Sequence, residues 1–163
     1  MNQGKEKSVN ISAPNLLAIC VNGLENGEIQ GRLYHYYGKE PICFFSILDL
    51  IRAMENLFDD LVFPQASTKS RSFFEKEAVM VYKRGRKEKT VSWEDMFSHE
   101  GTRGTFITCV KFRQRSTWQG DFFWKEKGEK VYFSSALEFI RQLELALNQS
   151  QETEERRGAD RYE

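Results

Sequence analysis

From Phe106 to Arg113 the side chains alternate. Phe106, Thr108, Val110 and Phe112 fall on one side of an extended chain, and Ile107, Cys109, Lys111 and Arg113 on the other. That period of two marks a strand. Trp118, Gly120, Phe122 and Trp124 share a face of a second strand, and Val131 to Phe133 is a short third. The turn Lys127-Gly128-Glu129-Lys130 separates these two. The period then changes to 3.6: Leu137, Ile140, Leu143, Ala146 and Leu147 form a helical stripe with Phe139 beside it. Ser135 and Glu138 open that helix with a capping-box pattern, hydroxyl to backbone and acid in the first turn.

The same pattern occurs earlier. Asn15 to Val21, Glu28 to His35 and Ile42 to Phe45 read as three strands, with Gly38-Lys39-Glu40-Pro41 as the second turn. Ile29, Gly31, Leu33 and His35 share a face of the second strand. Ile47, Leu50, Ile51, Met54, Leu57 and Phe58 form the helical stripe, opened by Ser46 and Asp49. Residues 15–60 and 104–149 align without a gap at an offset of 89. The offset matches Cys20-Val21 with Cys109-Val110, Gln30-Gly31 with Gln119-Gly120, Phe44 with Phe133 and Ser46 with Ser135. It also matches Leu48 with Leu137, Ile51-Arg52 with Ile140-Arg141 and Glu55 with Glu144. Sustained matching of this kind predicts an internal duplication.

The expected architecture is α+β: a tandem duplication of a β-β-β-α module, packed as a pseudo-twofold unit, with an extra β-hairpin between the copies. One three-stranded sheet with one helix cannot cover both its faces, so the copies should pack together, either in one joined sheet or face to face. The chain divides into a flexible N-terminus (1–14), a first module (15–60), a connection (61–103), a second module (104–149) and a disordered tail or frayed helix extension (150–163). Within the connection, Phe63 to Arg71 reads as a polar loop, Ala78 to Tyr82 as a strand and Lys83 to Lys89 as a hairpin turn. Thr90 and Val91 return from that turn, and Ser92 caps a short helix, Trp93 to Phe97.

Composition narrows the function classes. Lys plus Arg equals Asp plus Glu at 24 each, so no global field draws the chain to nucleic acid or membranes. Cys20, Cys43 and Cys109 form no CxxC pair and sit in apolar runs, as buried thiols of a reducing compartment do. No metal or other cofactor is expected. No apolar run approaches the ~20 residues of a membrane span, and the N-terminus lacks a signal-peptide stretch. The expectation is a cytoplasmic protein.

Catalytic signatures are absent. His35 and His99 have no announced orienting partner, and Cys20 and Cys109 are equivalent strand residues suited to packing. Asp59-Asp60 reads as a solvated helix end, and no glycine pattern forms a phosphate loop. The segment Lys111 to Gly120 carries the most chemistry. Arg113 and Arg115 stand beside Trp118, a combination suited to a planar or phosphorylated ligand, with Gln119 and Trp124 on the adjoining strand. The first copy has Leu24-Glu25-Asn26-Gly27-Glu28-Ile29 there, so the copies diverge at this loop. The plainer reading puts Trp118 in the core and pairs the arginines with acids. Lys69 and Arg71, among serine and threonine hydroxyls, are a second candidate anion cradle. Lys83, Arg84, Arg86, Lys87 and Lys111 are the candidate nucleic-acid contacts.

The stretch Arg113-Gln-Arg-Ser-Thr-Trp-Gln-Gly120, with Phe133-Ser-Ser-Ala-Leu-Glu-Phe-Ile140, resembles a family of small bacterial proteins. That family carries Arg-Gln-Asn-x-Thr-Trp-Gln-Gly ahead of a Ser-Ala-Leu-Glu helix. Phe63 to Arg71 is similar to the same family. The chain departs from the pattern at Arg115, where the family has Asn. The resemblance implies a bacterial origin and brings no activity or site residues. A looser likeness links each module to DNA-binding modules of the AP2 and integrase-arm kind, which read the major groove with the sheet face opposite the helix; that face would carry Gln119, Asp121, Phe123 and Lys125, which is not strongly basic. The expected function is therefore a non-enzymatic binding or regulatory protein. Its ligand would be a phosphorylated or nucleotide-like small molecule or a protein partner. A nucleic-acid-binding module is the alternative, and an enzyme with an unannounced site is a third reading. The oligomeric state is open.

Overall fold

The computed structural model describes residues 9–64, 87–113 and 117–159. Among them run β1 (Leu17–Glu25), β2 (Glu28–His35), β3 (Gly38–Phe44) and α1 (Ile47–Leu61). A short α2 (Trp93–Ser98) precedes β4 (Gly104–Phe112), β5 (Gln119–Trp124), β6 (Glu129–Phe133) and α3 (Ala136–Ala159). The fold is α+β: among the described residues, one six-stranded antiparallel sheet with three helices. The strand order is β3-β2-β1-β4-β5-β6, so the two three-stranded groups are joined through β1 and β4 in a single sheet.

The alternation along the strands decides what each face buries. One face carries Leu17, Ile19, Val21, Leu33, Phe44, Phe106, Val110, Phe122, Trp124 and Phe133. These pack with Leu50, Met54 and Phe58 of α1 and Phe139, Leu143 and Leu147 of α3. The other face carries Ala18, Cys20, Tyr34, Ile107, Cys109 and Phe123 under Met96 of α2 and the segment from Ala13 to Leu16. Residues 9–14, expected to be loose, are fastened there. Tyr36 Oη donates to the Ile11 carbonyl, Tyr37 Oη donates to the Pro14 carbonyl at 2.7 Å, and Asn15 Nδ2 donates to the Val110 carbonyl at 2.7 Å. A sheet with apolar residues on both faces needs a second cover, and this segment supplies part of it.

The registers repeat. Leu17 faces Thr108, Ile19 faces Phe106, and Ala18 faces Ile107. Moving each residue by 89 in the matching direction exchanges the first two pairs and returns the third to itself. The β1–β2 ladder shifts register between Val21 and Gly23, and the β4–β5 ladder shifts between Val110 and Phe112. Gly31 and Gly120 occupy the same situation. A Cβ on Gly31 would lie 2.1 Å from the Cys20 carbonyl oxygen and 2.7 Å from Phe44 Cζ. One on Gly120 would lie 2.2 Å from the Cys109 oxygen and 3.0 Å from Phe133 Cζ.

Both long helices start as their sequences dictate. The Ser46 hydroxyl accepts from Asp49 N, and Asp49 Oδ2 accepts from Phe45 N. The Ser135 hydroxyl accepts from Glu138 N, and Glu138 Oε2 accepts from Ser134 N. Ser46→Ala and Ser135→Ala are each expected to cost ~1 kcal/mol, read by urea titration. Ser92 caps α2 through Asp95 N, as expected.

Three expectations change. The second hairpin turn of the first group is Tyr36-Tyr37, closed by the His35–Gly38 pair, and β3 already begins at Gly38. The first hairpin turn of that group, Asn26-Gly27, has positive φ at both residues, 52° and 80°. This is the primed-turn dipeptide whose backbone twist suits a two-residue hairpin. Leu137 is 58% exposed, and Phe139 takes its place in the core. Finally, of the two readings of the tail, the disordered one gives way to the helix extension, and α3 runs to Ala159. Good helix formers, Glu152 placed four residues before Arg156, and arginines 156 and 157 at the negative helix end favour the extension. The predicted strand Ala78 to Tyr82 lies outside the described residues.

Candidate functional site

The end of β4 brings Arg113 under α1. Its Nε donates to the Pro64 carbonyl at 2.7 Å, and its Nη1 lies 2.9 Å from both Glu55 Oε2 and Asp59 Oδ1. Trp118 Nε1 donates to the other Glu55 oxygen. The Arg113 guanidinium carbon stands 5.6 Å from the centre of the Phe58 ring, and Trp118 meets Phe58 edge-on. Glu55 and Asp59 are one helical turn apart, so both reach the same cation. The Arg113 side chain is 6% exposed, Glu55 39% and Asp59 67%. The cation is thus buried while its carboxylates keep part of their hydration, which limits the desolvation cost of the cluster.

This clasp joins the first helix to the β4–β5 connection, on one half only. The positions 89 residues away hold Leu24, Ile29, Glu144 and Asn148. Arg113 and Trp118 therefore stand together, as their spacing suggested, but facing carboxylates of their own chain. The pairing of arginine with acids, with the indole in the core, accounts for both. Trp118 is 4% exposed. Glu55 escaped the sequence reading as a partner, because a contact spanning 58 residues leaves no local pattern. Asp59 was visible only as half of an acidic pair.

The other candidates are dispersed. Trp124 lies in the core with Lys127 Nζ 4.4 Å from its ring centre. Gln119 is half-buried opposite Phe112. Lys111 Nζ lies 2.6 Å from Asp121 Oδ2, with Lys130 Nζ 3.6 Å from the other oxygen. Lys87 pairs with Asp60 at 3.3 Å. Lys69, Arg71, Lys83, Arg84, Arg86 and Arg115 lie outside the described residues. The sheet face suggested for DNA reading is partly covered: Phe123 is buried there, and Lys125 Nζ donates to the Phe97 carbonyl and pairs with Glu100, both at 2.8 Å.

Groups suited to catalysis are subdued. Burial pushes the Cys20 and Cys109 thiols up to about 11, with Arg32 only partly opposing this at Cys20. Burial, reinforced by Lys87, holds the His35 imidazole below its ordinary range, and its Nδ1 accepts from Tyr37 N. His99 is stacked on Tyr34 with ring centres 3.8 Å apart. Among the described residues no group of three or more His, Cys, Asp or Glu is placed to hold a metal ion. At pH 8 a thiol with such a pKa is about a thousandth thiolate. Cys43, read from the sequence as buried, is exposed because β3 is an outer strand; a disulfide reagent is therefore expected to label it quickly, and Cys20 and Cys109 only on unfolding. Rapid labelling of all three in the native protein would contradict this.

Comparison with protein families, with curated proteins and with solved structures returned no match. Among the described residues no helix is long and apolar enough to cross a membrane.

Proposed function

We propose that this chain is a non-enzymatic binding protein, made of two copies of a β-β-β-α module arranged about a pseudo-twofold axis through the Ala18–Ile107 pair, and that its ligand is another protein. The duplication is supported by the self-consistent β1–β4 register, the bulges at matching places, the two crowded glycines and the paired capping boxes. A protein ligand is favoured over a phosphorylated small molecule because Arg113 and Trp118 are already engaged by Glu55. It is favoured over nucleic acid because Lys87 and Lys111 are held by Asp60 and Asp121.

The observation that carries the reading is at the sheet's ends. Among the described residues the sheet is open, and its outer strands β3 and β6 each have backbone groups on one side that pair with no other strand, Pro41 in β3 supplying only its carbonyl. Beside each stands an exposed aromatic, Phe45 at 66% and Tyr132 at 65%. An unpaired strand edge with an apolar anchor is the arrangement by which sheets take up an added strand. A photocrosslinking amino acid in place of Phe45 or Tyr132, used in the native cell, is expected to capture a discrete protein. Proline in place of Val131 or Lys130 in β6, which has none, should abolish the Tyr132 product. Capture of nucleic acid alone, or of nothing at either position, would overturn the proposal.

A further inference from the structure

Most matches between the halves have a local cause. Val21 and Val110, Cys20 and Cys109, and Phe44 and Phe133 are buried; Gly31 and Gly120 are forced by space; Ser46 and Ser135 are caps. Leu48 with Leu137 and Arg52 with Arg141 have none of these causes. The leucines are 53% and 58% exposed. Both arginines are exposed and have no ion-pair partner among the described residues. Helix propensity does not select leucine over lysine or glutamate at an exposed position. The spacing of four places each Leu and Arg on one stripe, on the side of its helix away from the core residues Leu50, Met54, Leu143 and Leu147. Glu55 and Glu144, three residues further, continue the stripe, and Glu144 is exposed and unpaired among the described residues.

We infer that this helix layer is an interface with a second copy of the same chain. The inference rests on the duplicated-module reading, because it uses a surface that appears once on each half. The stripes lie on two helices on the same side of one sheet; each carries an apolar group and a cation, and α3 adds the anion Glu144, unpaired among the described residues, while Glu55 on α1 is already held by Arg113 and Trp118. A twofold rotation that lays α1 of one copy against α3 of the other brings Arg52 to Glu144 and Leu48 to Leu137 twice over, the repeated pairing an isologous dimer requires. Leu145, 54% exposed on α3, adds apolar area. The chain's equal acidic and basic counts, 24 each, mean that two copies meet without net repulsion. Helices of 15 and 24 residues, at ~1.5 Å per residue and ~10 Å across, present on the order of 600 Å² between them, close to the ~800 Å² that each partner contributes to a standard interface.

Sedimentation of the full chain between ~1 and ~500 µM tests this. The wild type is expected to run at twice 19.1 kDa at the upper concentrations. Leu48→Glu and Leu137→Glu should each weaken association roughly tenfold or more. The double variant should be monomeric, with an unchanged far-UV spectrum because both sites are exposed. A wild type that stays monomeric throughout, or a folded double variant that still dimerises, would overturn the inference. Neither outcome bears on crosslinking at Phe45 and Tyr132, so the two proposals fail separately.

Discussion

Gly31→Ala is expected to lower stability by roughly 3 kcal/mol or more, enough to leave much of the protein unfolded at 37 °C. The added Cβ would meet the Cys20 carbonyl oxygen at 2.1 Å, the Cys20 carbonyl carbon at 3.0 Å and Phe44 Cζ at 2.7 Å. The ring can yield, but the carbonyl belongs to the β1 backbone opposite, so relief requires the strands to part. Gly120→Ala should behave alike, since its Cβ would meet the Cys109 oxygen at 2.2 Å and Val110 Cα at 2.9 Å. Gly158→Ala, with nothing within 4 Å and a place in the last turns of α3, should be neutral or slightly stabilising. Urea titration of the three variants checks the ordering. An unaffected Gly31→Ala protein would mean that the β1–β2–β3 packing is looser than described.

Arg113→Met comes second, with an expected loss of about 2–4 kcal/mol. The substitution keeps an unbranched apolar side chain of similar length and removes the guanidinium that stands 5.6 Å from the Phe58 ring centre. It leaves the Pro64 carbonyl without its Arg113 bond and two carboxylates a helical turn apart without the cation between them. Because Asp59 is 67% exposed and can rehydrate, the cost belongs in the lower part of that range. Trp118→Phe removes the indole donor to Glu55 and part of a buried ring packed on Phe58 and Phe139, and should cost ~2 kcal/mol. A double-mutant cycle of Arg113→Met with Glu55→Gln should give a coupling of at least ~1 kcal/mol. A coupling near zero would show that the clasp contributes packing only.

Much of the fold was readable because it is written locally. Ser46 and Ser135 announce their helices. The Phe106–Phe112 alternation announces β4, and the 3.6-residue stripes announce the core sides of α1 and α3. The choice between one joined sheet and two stacked ones was not readable, since it depends on which strands pair across 89 residues. The bulges after Val21 and Val110 also left no composition signal. Asn26-Gly27 did leave one, but its acidic neighbours drew attention to charge instead of turn chemistry. Leu137 misled for a related reason. A leucine in register with a core stripe reads as buried, and only its match with exposed Leu48 points the other way. The clasp was half legible: the cations and indole stood together in sequence, while the carboxylates that occupy them came from a helix more than fifty residues earlier.

The account stands on one sheet formed through β1 and β4. Nuclear Overhauser contacts between backbone protons of residues 17–21 and 104–108 test it most directly. The predicted result is an antiparallel ladder in which Leu17 meets Thr108, Ala18 meets Ile107 and Ile19 meets Phe106. No cross-peaks between these strands, or a ladder in another register, would contradict it.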